Sequence, residues 1–149
     1  MRPEIGLVIH YDFLWRTDAE RGLESGAKSR PCAVVLIQNR PTDGDIEIYV
    51  CAISHTPPSP GQRAVEIPHM VARHLDLDDG RSWIKTHELN IFTWEAGRLP
   101  HGMTRTPHGE WSYGIIPPGL YKIVRDHVIA NSRDRSLQSL HRDIDIDPS

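Results

Sequence analysis

Apolar and polar positions in this chain alternate in short runs rather than in long helical stripes. The clearest run is Cys32-Ala33-Val34-Val35-Leu36-Ile37, apolar throughout and rich in valine. It is too short for a helix that carries its own stability, and it predicts a strand buried on both faces. Pro31 cannot donate a ladder hydrogen bond, so it suits the strand's first position. Before it, Gly26-Ala27-Lys28-Ser29-Arg30 is small and basic. Arg30 is therefore held at the mouth of a rigid strand, after a flexible loop. Ile5 to Trp15 predicts an earlier strand, with Leu7, Val8, Ile9, Phe13 and Leu14 as core candidates. Asp45 to Ser54 alternates: Ile46, Ile48, Val50 and Ala52 face one way, and Glu47, Tyr49, Cys51 and Ile53 the other. Pro41-Thr42-Asp43-Gly44-Asp45 is turn chemistry and joins the two runs as a hairpin.

Pro57-Pro58-Ser59-Pro60-Gly61 ends that sheet segment after Ser54-His55-Thr56. Ala64 to Ile67 reads as a short strand. Pro68 to Leu77 reads as a brief helix with Met70, Val71, His74 and Leu75 on one face, ended by Asp78-Asp79-Gly80. Ser82 to Thr86 and Asn90 to Trp94 are strand-like on either side of His87-Glu88-Leu89. The segment 96–112 is irregular, and Tyr113 to Ile116 adds a short strand. Leu120, Ile123, Val124, His127 and Val128 then recur at helical spacing behind Pro117 and Pro118. A polar tail covers about 132–149, frayed from Asp143. Arg16 to Ser29 reads as a polar binding loop. The expectation is one domain over 1–149, mainly β with α: a small barrel carrying a short helix and a C-terminal helix.

Composition narrows this picture a little. With 149 residues, 38% hydrophobic and 25% charged, the chain has the length and make-up of one soluble domain with a core. No apolar run approaches the ~20 residues that span a bilayer. Met1-Arg2-Pro3-Glu4 lacks the apolar core of a signal peptide, so a cytoplasmic protein is expected, with no membrane partner. Cys32 and Cys51 sit in strand-like runs without a CxxC spacing, which predicts buried thiols rather than a disulfide or a zinc site. A net charge of -3 argues against a basic coat for nucleic acid but leaves room for a local basic groove.

Candidate chemistry gathers at two strand ends. In the antiparallel hairpin, the start of one strand lies beside the end of the next, so Arg30 and Ser54 approach each other at one rim. A fixed guanidinium and a hydroxyl suit a phosphate group, whose growing charge they would stabilise. Thr56 is the hydroxyl on the same face if the pairing shifts by two residues. Around them, Arg16, Arg21 and Lys28 are candidate phosphate contacts, opposed by Asp18, Glu20 and Glu24 in the same loop. Trp15 is the candidate stacking platform, and His55 lies beside the hydroxyl. His10 is a second histidine able to face the cleft. Trp83, Trp94 and Trp111 are assigned to the core or to dimer contacts. His101 and His108 flank the irregular segment without metal-ligand spacing, so neither metal nor cofactor is expected.

Glu20-Arg21-Gly22-Leu23-Glu24-Ser25-Gly26-Ala27-Lys28-Ser29-Arg30-Pro31-Cys32-Ala33-Val34-Val35-Leu36 resembles the signature of the MazF/PemK toxin family. That signature is a glycine-bearing loop, an Arg-Pro pair and a Val-rich strand. Tyr49-Val50-Cys51-Ala52-Ile53-Ser54-His55 is similar to the family's following strand, and Glu88-Leu89-Asn90-Ile91-Phe92-Thr93-Trp94 resembles a later one. The helix from Leu120 resembles its terminal helix. The resemblance implies a small SH3-like barrel of the CcdB/PemK type and a homodimer. It also implies a metal-independent endoribonuclease acting on single-stranded RNA, restrained by an antitoxin peptide. Arg30 would act on the scissile phosphate, and Ser54 stands where the family usually has threonine. Serine keeps the hydroxyl but loses the methyl group that restricts its rotamer. Segment 96–112 is longer than the family pattern needs. Two other functions are carried alongside: a barrel that binds nucleic acid or peptide without catalysis, and a CcdB-like toxin directed at gyrase. Asp143-Ile144-Asp145-Ile146-Asp147, with no tryptophan near it, fits the gyrase reading poorly.

Overall fold

The computed structural model describes residues 1–26, 28–40, 44–78 and 80–143. The turn residues Pro41, Thr42 and Asp43, together with Ala27, Asp79 and the tail 144–149, lie outside them. The fold is built on three antiparallel strands: β1 (Leu7–Tyr11), β2 (Arg30–Asn39) and β3 (Ile46–Ser54). Between the first two lies a short helix, α1 (Arg16–Glu20), where the sequence predicted only loop. The β2–β3 hairpin forms as expected, with Gly44 at φ 75° in its connection.

β3 is a branch point. Ile46 to Val50 pair with β6 (Glu88–Trp94), whereas Ile53 and Ser54 pair with β5 (Trp83–Lys85). β4 (Ala64–Glu66) adds to β5. β7 (Met103–Thr104) and β8 (Gly114–Ile115) both pair with β1. β9 (Gln138–His141) runs parallel to β6. The result is a nine-stranded, mainly antiparallel sheet that does not close on itself among the described residues. Two further helices, α2 (His69–His74) and α3 (Pro118–Arg133), complete the chain. No helix among the described residues is long and apolar enough to cross a membrane.

The alternation of β3 is what buries both faces of the sheet. Ile48, Val50 and Ala52 join Ile9, Tyr11, Phe13, Val34, Phe92 and Trp94 in one cluster. Cys51 and Ile53 join Val8, Ala33, Ile84, Leu75, Leu120 and Val124 in the other, beneath α2 and α3. Both cysteines are free and buried, and burial pushes both thiols far up from their usual range. Trp83 and Trp94 are buried as core. Trp111 carries the Arg105 guanidinium 4.4 Å from its ring centroid.

Several expectations need correction. The six-residue apolar run is not buried throughout, because the register shifts between Val34 and Leu36, leaving Leu36 41% exposed. The extra residue, Val35, keeps a use: its carbonyl accepts the Tyr121 hydroxyl at 2.8 Å. The helices bury narrower stripes than the spacing predicts. Leu120 and Val124 face the core, but Ile123 is 49% and Met70 82% exposed. The 96–112 segment is not wholly irregular, since it supplies β7. The tail supplies β9, and Asp143 accepts the Thr93 N–H at 2.8 Å and its hydroxyl at 2.7 Å rather than fraying.

Candidate functional site

The hairpin ladder ends at Cys32 opposite Ala52; continued two residues outward, its register points Arg30 toward Ser54, and both line the same clefts at the rim. Tyr11 flanks Arg30 from β1, and Trp83 flanks Ser54 from β5. Directly paired residues share a face, and neighbours in sequence do not. Arg30, Ser54 and, on β5, Lys85 therefore lie on one face of the sheet. His10, Pro31 and Ile53 lie on the other.

Two clefts open along this rim, one on each side. A cleft of about 520 Å³ is lined by His10, Lys28, His55, Asp76, Asp78 and Tyr113, among others. A cleft of about 310 Å³ is lined by Trp15, Gln62, Lys85, His87 and Glu88. Arg30, Ser54 and Thr56 line both. Arg30 and Ser54, expected to approach each other, line the same clefts, and Thr56, expected only as the alternative hydroxyl, lines them beside Ser54.

Arg30 has no ion pair among the described residues. Its Nε is buried and lacks a hydrogen-bond partner. The guanidinium carbon sits 5.5 Å from the Trp15 ring centroid, and Phe13 meets that indole edge-on with centroids 4.8 Å apart. The indole thus holds the cation in place as much as it offers a surface for a base. Ser54 Oγ accepts the Thr56 N–H at 3.0 Å, which leaves the serine proton free to donate.

The larger cleft carries the titratable groups. His10 Nδ1 lies 2.7 Å from the Tyr113 hydroxyl. Burial pulls the His10 pKa below 6.5 and pushes Tyr113 up to about 12. An imidazole that is neutral near pH 7 is a proton acceptor there. His55 Nδ1 lies 2.9 Å from the Arg81 carbonyl oxygen and 3.3 Å from Ser82 Oγ, so its ring is anchored to the loop before β5. Lys28 lines the same cleft.

Two candidates lie away from both clefts. Arg16 is turned to Glu20 at 3.4 Å and to the Ser139 carbonyl at 3.4 Å. Arg21 pairs with Asp18 at 3.8 Å. The cause is α1, whose helical spacing matches each arginine with an acid of its own turn.

The sequence reading missed Lys85. It is 6% exposed, yet its side chain makes no hydrogen bond or ion pair among the described residues. Burial lowers its pKa from the usual lysine value. The available signal was a lysine sharing parity with Trp83 in a short apolar strand. Tyr113, Asp76 and Asp78 were also missed, because they come from loops that only the fold brings to the rim. Among the described residues no group of His, Cys, Asp or Glu is arranged to hold a metal ion. No family model, curated protein or solved structure matches this chain significantly.

Proposed function

We propose that this protein is an endoribonuclease that cleaves single-stranded RNA with protein side chains alone. The observation that carries the reading is Arg30, a guanidinium with no ion pair among the described residues and a buried orphan Nε, beside two hydroxyls where two clefts meet. A phosphodiester is the anion that fits it. Arg30 stabilises the charge that grows on the phosphorus-bound oxygens, and Ser54 and Thr56 donate to them. The nucleophile is the adjacent RNA 2′-hydroxyl. Lys28 and His55 border the strand's path, and Trp15 backs the guanidinium. In this reading the branched, open sheet is a variant of the SH3-like barrel of the MazF/PemK kind. The protein then works as a cytoplasmic homodimer restrained by an antitoxin peptide, and the resemblance of the Arg-Pro strand and its loop supports that.

Purified protein is expected to cut single-stranded RNA in EDTA, and Arg30→Ala is expected to abolish cutting. Cleavage lost in EDTA, or retained in Arg30→Ala, overturns the mechanism. A second reading, a binding barrel without catalysis, draws on the neutralised Arg16 and Arg21 and on serine in place of threonine. It predicts saturable RNA binding with no product on a gel.

A further inference from the structure

The geometry points to Lys85 as the group that protonates the departing 5′-oxygen, an assignment that rests on the nuclease reading above. In an in-line displacement the attacking and leaving oxygens lie on opposite sides of phosphorus. A base and an acid are then needed on opposite sides of the phosphate seat. The rim supplies that arrangement. His10 opens into one cleft and Lys85 into the other, with Arg30, Ser54 and Thr56 shared between them. The β3–β5 register pairs Ser54 with Trp83 and Ile53 with Ile84, so Lys85 is on the Ser54 face, one rung inward. Diagonal neighbours of this kind stand about 7–8 Å apart, within reach of a lysine stem.

Lys85 is also free for the task. Glu88, the carboxylate in its cleft, already accepts the Arg16 N–H at 2.7 Å and faces His87 Nε2 at 3.4 Å. The Lys85 ammonium opens to its cleft, partly desolvated and without a partner among the described residues, and an incoming phosphodiester would supply one. Burial lowers its pKa and so favours giving up its proton.

The step balances within the protein and the RNA. The 2′-oxygen forms a bond to phosphorus while the P–O5′ bond breaks. The departing electron pair on O5′ takes a proton from Lys85 Nζ. The 2′-hydroxyl proton passes to His10 Nε2, whose lone pair is free when Nδ1–H donates to the Tyr113 oxygen. The products are a 2′,3′-cyclic phosphate and a 5′-hydroxyl, and both side chains then exchange protons with water.

The test replaces the leaving oxygen with sulfur. An RNA oligonucleotide and its analogue with a bridging 5′-sulfur at the cleaved bond are given to wild type, Lys85→Met, Lys85→Arg and Arg30→Ala. A thiolate leaves without a proton. Both Lys85 variants are expected to lose about 10²–10⁴-fold on the oxygen substrate and to regain near wild-type rates on the sulfur one. Arg30→Ala stays impaired on both. Lys85 variants that are equally slow on both substrates, or unimpaired on both, overturn the assignment. If wild type cuts neither, the nuclease reading fails first and this assignment falls with it. Lys85→Arg preserves charge and length, so the comparison survives should Lys85→Met fold poorly.

Discussion

Among the arginines that sit against aromatic rings, Arg142 and Arg30 lie at the same distance from theirs and differ in what their donors meet. Arg142 follows β9 with its guanidinium carbon 5.5 Å from the Tyr11 ring centroid, and its side chain is 9% exposed. Its donors reach the Asp12 carbonyl at 2.5 Å, Asn90 Oδ1 at 2.8 Å, Asp12 Oδ2 at 3.3 Å and the Glu24 carbonyl at 3.3 Å. Arg30 lies at the same 5.5 Å from Trp15, and its Nε reaches nothing. A guanidinium whose donors are consumed by its own chain holds structure together, whereas one with an unsatisfied donor beside a cleft has capacity left to bind a ligand. Arg142 even serves Arg30 at a distance, because the Asp12 it holds also accepts the Gly26 N–H at 2.7 Å. A Cβ on Gly26 would collide with the Phe13 carbonyl oxygen, so that close bracket at the base of the loop requires glycine.

Removing each arginine in turn tests the contrast most strongly. Arg30→Ala is expected to lower RNA cleavage by at least about 10²-fold. Its stability should stay within about 0.5 kcal/mol of wild type, because no partner is left stranded. Arg142→Ala is expected to do the reverse, costing about 3 kcal/mol by leaving Asp12 and Asn90 short of donors. For a chain of this length that lowers the melting temperature by about 10 °C. Thermal melts and a cleavage assay on both variants measure the pair. A large stability loss in Arg30→Ala, or none in Arg142→Ala, would erase the distinction.

The same contrast explains what the sequence could and could not disclose. The approach of Arg30 and Ser54 at one rim was legible because the hairpin is local, its apolar runs and turn residues setting the two strands side by side; the one-residue shift at Val35, which sets the register at that rim, was not. The bracket at Arg142 was not, since β9 is a short polar strand whose pairing with β6 comes only from the folded sheet. β7, two residues long, is invisible for the same reason. α1 went unseen because its residues read as loop by composition and bury none of their side chains. Lys85 needed two strand registers to be placed beside Ser54, and no spacing along the chain encodes that. Asn90 reads as one polar residue in an apolar strand. In the fold its side-chain oxygen and nitrogen bracket the Leu14 N–H and carbonyl, both at 2.9 Å.

A smaller effect sharpens the comparison. Lys85 belongs with Arg30 as a cation without an ion pair among the described residues, so its removal should not harm the fold. Lys85→Met keeps the stem's volume and deletes the unpaired ammonium. It is expected to stabilise the protein by about 1 kcal/mol, read from the denaturant midpoint at an unchanged slope. A loss of stability would place Lys85 with Arg142 as a structural cation.

The mildest test concerns His10. Burial holds its folded pKa below the 6.5 of a free histidine, so the unfolded chain binds a proton there more readily than the fold does. The resulting stability is fully present above pH 6.5 and is lost as pH falls through 6.5 toward the lower folded value. Tyr113, Lys28, His55, Asp76, Asp78 and Arg30 share its cleft, and none of them is changed by His10→Gln. The variant should therefore melt with a flatter pH dependence than wild type just below pH 6.5, with the two curves parallel above it. If His10 is the base, the acid limb of kcat/KM for RNA falls in that same window and disappears in the variant. Parallel melts across the whole range would mean that the imidazole is solvated in the fold, and the larger cleft would then lose its proton acceptor.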